Sequence, residues 1–354
     1  MKTEVVKVHP EFPEIDKIAH CAKVIRQGGL VVFPTETVYG IAADFNNPKA
    51  MARLREVKHR GENKPFSIHI AQKGLISNYT SITSPMVYKL IDECWPGPLT
   101  VVVPATEDGK TIGIRMPHNV VALNLVQESQ CTVAAPSANA AGNPPPSTCE
   151  EALRDMDGLV EVAIDGGSAR LGLASSVVDF TQEAPKVLRQ GSITQEDVDQ
   201  ITKKKTVLFV CTGNSCRSVM AEYFLKELVK GHSDVEAVSA GTSVFLRSTA
   251  SAETIAVLQK EGIDATQHYS QPLSSILLKK SDLILVMTRG HRSQVLERVP
   301  DVENRVYLLR EFIHETPGMD INLDIPDPMG RPAEAYEECM LMIKDAVKKL
   351  VKLI

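Results

Sequence analysis

The run Val210-Cys211-Thr212-Gly213-Asn214-Ser215-Cys216-Arg217-Ser218 sets a cysteine and an arginine with five residues between them, after an apolar strand pattern and before a helical one. A loop in that position can turn its backbone N–H groups onto a tetrahedral anion, with the positive end of the following helix behind them. The same field favours a thiolate, the form of cysteine that attacks phosphorus. Gly213 and Asn214 are the residue types that accept the positive φ a tight anion loop needs. Arg217 offers a planar fork to two equatorial oxygens of a phosphoryl group. Ser218 is expected to cap the helix and to donate a hydrogen bond to the sulfur. The leaving group needs a proton, and Asp327 in Asp324-Ile325-Pro326-Asp327-Pro328-Met329-Gly330 is held between prolines on a stiff loop. Cys211, Arg217 and Asp327 are therefore the candidate catalytic groups, with Thr212, Gly213, Asn214, Ser215, Cys216 and Ser218 as the anion cradle. The competing use of Cys211 and Cys216 as metal ligands lacks a second cysteine pair or a histidine cluster to complete a zinc site. Under oxidation the two thiols could form a reversible disulfide, and Cys216 as a small packed residue is the alternative.

The first half carries scattered polar clusters. Pro34-Thr35-Glu36-Thr37-Val38-Tyr39-Gly40 follows an apolar strand pattern, so its hydroxyls stand at a strand end, where ligands commonly bind. Lys58-His59-Arg60 closes a helical stretch and offers two cations suited to a triphosphate. Ala135-Pro136-Ser137-Ala138-Asn139 also follows a short apolar run, and Arg115 and Arg189 sit beside strand patterns. Taken singly, each cluster reads as a capped turn or a solvated charge.

The elements that must position these groups come in two patterns. From residue 206 onward strands alternate with helices: strands at 206–210, 235–239, 282–287 and 305–309, and helices from Ser218, near 250–261, near 290–298 and from about 333. That alternation predicts a parallel sheet with helices on both faces. The first 200 residues predict a mixed α/β sheet: helices at 14–27 and 48–58, and strands at 30–33, 66–70, 99–103, 131–135, 162–165 and 175–180. Between the patterns, the stretch from Gly191 to Lys203-Lys204-Lys205 combines turn residues, acidic residues and a lysine run. It reads as a solvated linker, placing the domains at 1–202 and 203–354.

Composition agrees with two ordinary globular domains, since 354 residues with 43% apolar and 23% charged content exceed what one core serves. A net charge of −5 excludes dominance by nucleic-acid electrostatics and leaves any RNA contact local. Apolar runs such as 30–33 and 283–287 are too short to span a bilayer. The first residues lack a secretory pattern, and seven sparsely spaced cysteines fit reduced thiols, so a cytoplasmic protein without membrane contact is expected.

Residues 206–354 resemble the low-molecular-weight protein-tyrosine phosphatase family through the Cys-x5-Arg-Ser loop, Ser239-Ala240-Gly241-Thr242 and the late Asp327-Pro328. The resemblance implies a flavodoxin-like four-stranded parallel sheet. It also implies a metal-free and cofactor-free reaction through a cysteinyl phosphate, with Cys211 as nucleophile, Arg217 as phosphate binder and Asp327 as acid. Ser215 replaces the bulky aliphatic residue, and Met329 the aromatic residue, usual in members acting on phosphotyrosine. A small hydroxyl residue at the position of Ser215 is similar to the branch acting on protein phosphoarginine, which is the preferred reading over phosphotyrosine. An arsenate reductase would need further resolving thiols, and only Cys339 follows Cys216.

Residues 10–200 resemble the Sua5/YrdC family of threonylcarbamoyl-AMP synthases. The pieces are Pro-Thr-Glu-Thr-Val-Tyr-Gly, Lys58-x-Arg60, Trp95-Pro96-Gly97-Pro98-Leu99-Thr100, Ile114-Arg115-Met116-Pro117, Pro-Ser-Ala-Asn, Asp165-Gly166-Gly167 and Leu188-Arg189, in order. The resemblance implies that L-threonine, bicarbonate and ATP with Mg2+ give threonylcarbamoyl-AMP and pyrophosphate, the donor for t6A in tRNA. A t6A transferase complex, and tRNA indirectly, follow as partners. By the same resemblance Lys58, Arg60, Ser137, Asn139 and Arg189 hold ATP, and Thr35, His69, Arg115 and Ser175 surround threonine. Lys64 in place of the usual asparagine, and Ala174-Ser175-Ser176 in place of Glu-Ser-Thr, are departures. The alternative for this half is a non-catalytic RNA-binding or regulatory module.

Overall fold

The computed structural model describes residues 2–61, 65–106, 110–231, 234–312 and 322–353. The chain forms two compact units, one of Met1–Ile82 with Leu90–Gln200 and one of Thr83–Lys89 with Ile201–Ile354. Lys64 lies outside the described residues.

The first unit is built on strands β1 (Glu4–Lys7), β2 (Val31–Phe33), β3 (Gly40–Asp44), β4 (Ser67–His69), β5 (Leu99–Pro104), β6 (Thr111–Arg115), β7 (Val133–Ala134), β8 (Val162–Asp165), β9 (Ser176–Asp179) and β10 (Lys186–Arg189). They form one mixed sheet in the order β1-β8-β2-β3-β7-β4-β6-β5-β9-β10. Its centre is buried on both faces, which is why Val31, Val32 and Phe33 form an unbroken apolar run. Val31 and Phe33 pack with the helices Ile15–Arg26 and Val120–Ser129, while Val32 packs on the other face with Pro48–Val57 and Cys149–Met156. The helix Pro48–Val57 starts where the sequence dictates: the Asn47 side chain accepts from the N–H groups of Lys49 and Ala50, and proline occupies the first turn. It buries Ala50, Leu54 and Val57 along one stripe. It stops at Lys58, and His59 at φ 47° swings the chain so that Arg60 turns back toward the sheet.

The segment read as a linker is corrected by the structure. Residues Gln195–Lys203 form a helix, and Lys205 opens the next strand. Thr194 and Asp197 cap that helix reciprocally, the Asp197 N–H donating to Thr194 Oγ1 at 3.2 Å and the Thr194 N–H to Asp197 Oδ2 at 2.8 Å. Val198 is fully buried beneath it.

The second unit holds β11 (Lys205–Cys211), β12 (Val235–Gly241), β13 (Leu283–Val286) and β14 (Val306–Leu308), all parallel in the order β12-β11-β13-β14. Along β11, Val207, Phe209 and Cys211 face the helices Arg217–Leu228, Ala252–Lys260 and Ala333–Leu350. Leu208 and Val210 face Ser275–Lys280 and Arg289–Arg298. Helices therefore cover both faces, as the alternation predicts. The chain runs from β11 outward to β12 on one side and back across to β13 on the other, so a crevice opens at the carboxyl end of β11. Cys211 is the last residue of that strand. Among the described residues no helix is long and apolar enough to cross a membrane.

Candidate functional site

At the end of β11 the loop residues are locked by Ser218 of the following helix, by Ser239 of β12 and by the Gln271 backbone. Asn214, fully buried at φ 52°, accepts from the Gln271 N–H at 2.9 Å through Oδ1. Its Nδ2 donates to Ser218 Oγ at 2.9 Å and to Ser239 Oγ at 2.7 Å. Ser239 in turn donates to the Glu222 carboxylate. Because Ser218 Oγ already accepts from Asn214, its proton is left for Cys211 Sγ, 3.0 Å away. The expected hydrogen bond to sulfur is thus present. The expected cap is not, because Arg217 and Ser218 are the first two residues of the helix and its N-cap is Cys216.

Arg217 is buried to 4% exposure and ties the loop to the distant acid. Its guanidinium donates to Ile325 O at 3.2 Å, to Thr212 Oγ1 at 3.4 Å and to the Asp327 carboxylate. All seven cysteines are free thiols. Cys216 Sγ lies 3.5 Å from Ser251 Oγ and belongs to the packed core. Burial pushes the Cys339 thiol up to about 12, which leaves it inert.

Gly241 explains the Ser-Ala-Gly run. A Cβ there would stand 2.5 Å from Thr212 O and 2.9 Å from Asn214 N, so only glycine lets β12 end against the loop. Overpacking of this kind costs about 1–3 kcal/mol. Gly241→Ala is expected to weaken tungstate binding roughly tenfold or more, read by titration calorimetry; unchanged affinity would show that the loop yields without cost.

In the first unit a cavity of about 220 Å3 opens over β4, β5 and β6. Seven of the nine residues expected around ligands line it: Thr35, Arg60, His69, Arg115, Ser137, Ser175 and Arg189. Lys58 and Asn139 do not. Lys58 Nζ donates to Ser137 O at 2.6 Å, to Asn139 O, and to Asn139 Oδ1 at 3.2 Å, so the pair braces the Pro-Ser-Ala-Asn loop from behind. Burial, with Arg60 nearby, lowers Lys58 to about 8. Thr35 is also committed, donating to Val38 O at 2.6 Å and accepting from the N–H groups of Thr37 and Val38.

The cavity's charge is cationic. Burial lowers Arg60, Arg115 and Arg189, and Arg189 is lowered further by Arg115 and Arg60, a mutual repulsion that a bound anion would relieve. Arg189 is aimed by Ser175, donating to its carbonyl at 3.0 Å and its hydroxyl at 3.1 Å. Ser175 Oγ also lies 2.9 Å from Thr100 Oγ1. His69 is buried with an unpartnered Nδ1 and is held neutral by burial and by Arg115. Glu36, 2.8 Å from Arg115 with both side chains nearly inaccessible, is a group that sequence reading passed over. So are Tyr39 and Thr100, which line the cavity.

A family model described as telomere recombination, the Sua5, YciO and YrdC group, matches residues 23–191. A second, low molecular weight phosphotyrosine protein phosphatase, matches residues 206–354. The threonylcarbamoyl-AMP synthase of Bacillus subtilis is 35% identical over 57% of this chain and 62% of its own length. The chain thus spans about three-fifths of that relative. A putative threonylcarbamoyl-AMP synthase of Mycobacterium tuberculosis is 33% identical over 52% of this chain and 88% of its own. A protein-arginine-phosphatase of Geobacillus stearothermophilus is 35% identical over 41% of this chain and 93% of its own. Among solved structures, a variant of P. abyssi Sua5 superposes with a TM-score of 0.54 at 27% identity, covering 86% of this chain and 98% of that one. With the mixed sheet and cationic cavity in one unit and the Cys-x5-Arg loop on a parallel sheet in the other, the chain belongs to two families, Sua5/YciO/YrdC over residues 23–191 and the low molecular weight phosphotyrosine protein phosphatases over residues 206–354.

Proposed function

We propose that the chain is a bifunctional enzyme. Its first unit joins L-threonine, bicarbonate and ATP into threonylcarbamoyl-AMP with release of pyrophosphate. The observation that carries this reading is the convergence of Arg60, Arg115 and Arg189 on one cavity beside the hydroxyls of Ser137 and Ser175. Arg60, Arg189 and Ser137 suit the phosphates, with Lys58 and Asn139 holding the Ser137 loop in place. Arg115 suits the threonine carboxylate, and His69 and Ser175 its polar substituents. Carbamate attack on the α-phosphate then depends on charge placement and orientation, without a protein nucleophile. Magnesium enters with the nucleotide as part of the substrate. The product feeds t6A formation on tRNA through a transferase complex, in the cytoplasm. Threonine-dependent pyrophosphate release tests this reading, and its absence would leave an RNA-binding or regulatory module.

The second unit is a cysteine phosphatase for protein phosphoarginine. Cys211 Sγ attacks phosphorus in line while Arg217 and the loop N–H groups hold the equatorial oxygens. The P–N bond breaks, Asp327 protonates the departing guanidine, and water then hydrolyses the cysteinyl phosphate. Ser215, a small hydroxyl on the loop that follows the nucleophile, and Met329, 54% exposed where an aromatic clamp would stand, support phosphoarginine over phosphotyrosine. Phosphate release from the two substrates side by side is expected to favour phosphoarginine, and Ser215→Ile to shift preference toward phosphotyrosine. Preference for phosphotyrosine in the unmodified protein would return this unit to the tyrosine class.

A further inference from the structure

We propose that His291 is a positioning residue of the phosphatase site, which with Thr288 directs the hydroxyl proton of Thr212 toward the bound phosphoryl group. The proposal rests on the phosphatase reading and adds to it a contact that the Cys-x5-Arg pattern does not contain. Thr288 is the N-cap of the helix Arg289–Arg298, and its Oγ1 accepts the His291 N–H at 3.2 Å. The same oxygen lies 2.9 Å from His291 Nδ1. We assign the Thr288 proton to Nδ1, its oxygen already accepting the backbone N–H, and this tautomer places the ring proton on Nε2. Nε2 lies 2.9 Å from Thr212 Oγ1 and in that tautomer donates to it. Arg217 donates to the same oxygen at 3.4 Å. Both lone pairs of the Thr212 oxygen are then occupied, and its O–H must point elsewhere.

Elsewhere is the anion site. Thr212 follows the nucleophile directly, is exposed, and shares the Arg217 guanidinium with Asp327. Its backbone is fixed as well, since the Ser243 N–H donates to Thr212 O at 3.0 Å. The relay works only with a neutral ring, one nitrogen accepting and the other donating. Burial and the neighbouring Arg217 lower His291 to about 4, against the opposing pull of Asp327 and Asp324, so the ring stays neutral across the working range. His291 is 5% exposed and touches no ligand itself; it acts through Thr212.

The test is tungstate binding to the full chain by titration calorimetry, which needs no turnover. A hydrogen bond to a charged group is worth about 1.5–3 kcal/mol, so Thr212→Val is expected to weaken tungstate roughly 10- to 150-fold, with Thr212→Ser restoring it. His291→Leu is expected to weaken it comparably, His291→Gln to recover part of the loss, and Thr212→Val with His291→Leu to lose no more than Thr212→Val alone. Should His291→Leu melt early, Thr288→Val replaces it, since removing the hydroxyl that donates to Nδ1 releases the tautomer without touching the ring. Unchanged affinity in Thr212→Val, or a histidine effect undiminished in the valine background, overturns the proposal. Failure of the phosphatase reading shows separately, as absence of any Cys211-dependent phosphate release.

Discussion

Cys211→Ser is expected to lower phosphoarginine turnover by about 10^4- to 10^6-fold, the scale on which removal of a covalent nucleophile acts, while tungstate still binds. The division follows from how the site is built. On the proposed reading, anion affinity comes from the loop N–H groups and Arg217, which serine at position 211 leaves in place. Attack requires an anionic sulfur receiving the Ser218 hydrogen bond at 3.0 Å, and a neutral alcohol there has no comparable nucleophilicity. Asp327→Asn is expected to cost less, about 10^2- to 10^4-fold, and to cost most on poor leaving groups. Arg217 donates to the Asp327 carboxylate, so a phosphoryl group entering the loop competes with Asp327 for the guanidinium. Acid quenching followed by mass spectrometry separates the two variants. Asp327→Asn should form phosphocysteine at a reduced rate, and Cys211→Ser should form none. Phosphocysteine absent from the unmodified protein under single-turnover conditions would remove the covalent mechanism.

The parallel unit could be read from sequence because its signals are local. Strands β11, β13 and β14 centre on short apolar runs, and the loop chemistry is packed between Cys211 and Arg217. The hydrogen bonds that make the loop rigid could not be read, since Ser239, Gln271 and His291 reach it from distant segments and resemble ordinary polar residues in sequence. In the first unit, β3 escaped notice because Gly40-Ile41-Ala42-Ala43-Asp44 has little β-branched content. It is a strand because it is buried between β2 and β7, a tertiary cause. The helix Gln195–Lys203 escaped for the opposite reason: its Thr-x-x-Asp cap was in plain view, but the charges around it read as a linker. Glu36 was hidden by its type. A carboxylate in a hydroxyl-rich turn looks solvated, and only the position of Arg115 at the end of β6 shows that it is buried and paired.

That pair sets up a large stability effect. Glu36 and Arg115 are 2% and 6% exposed at their side chains and 2.8 Å apart, so removing one partner leaves the other as an uncompensated buried charge. Arg115→Ala is expected to cost about 3–5 kcal/mol, lowering the melting transition of the first unit by roughly 6–20 °C at the ~2–4 °C per kcal/mol typical of this size, and to abolish threonine-dependent pyrophosphate release. Loss of activity alone would be ambiguous, because a half-unfolded unit also fails to turn over. The double replacement Arg115→Met with Glu36→Leu resolves it. Apolar residues of similar volume in place of a buried ion pair restore stability in such settings, so calorimetry should show the transition recovered while pyrophosphate release stays absent. If the double variant regains activity together with stability, Arg115 holds the interior of the sheet at the end of β6 and does not hold threonine. If neither returns, the ion pair is needed to fold the cavity itself, and assigning Arg115 to the substrate carboxylate loses its support.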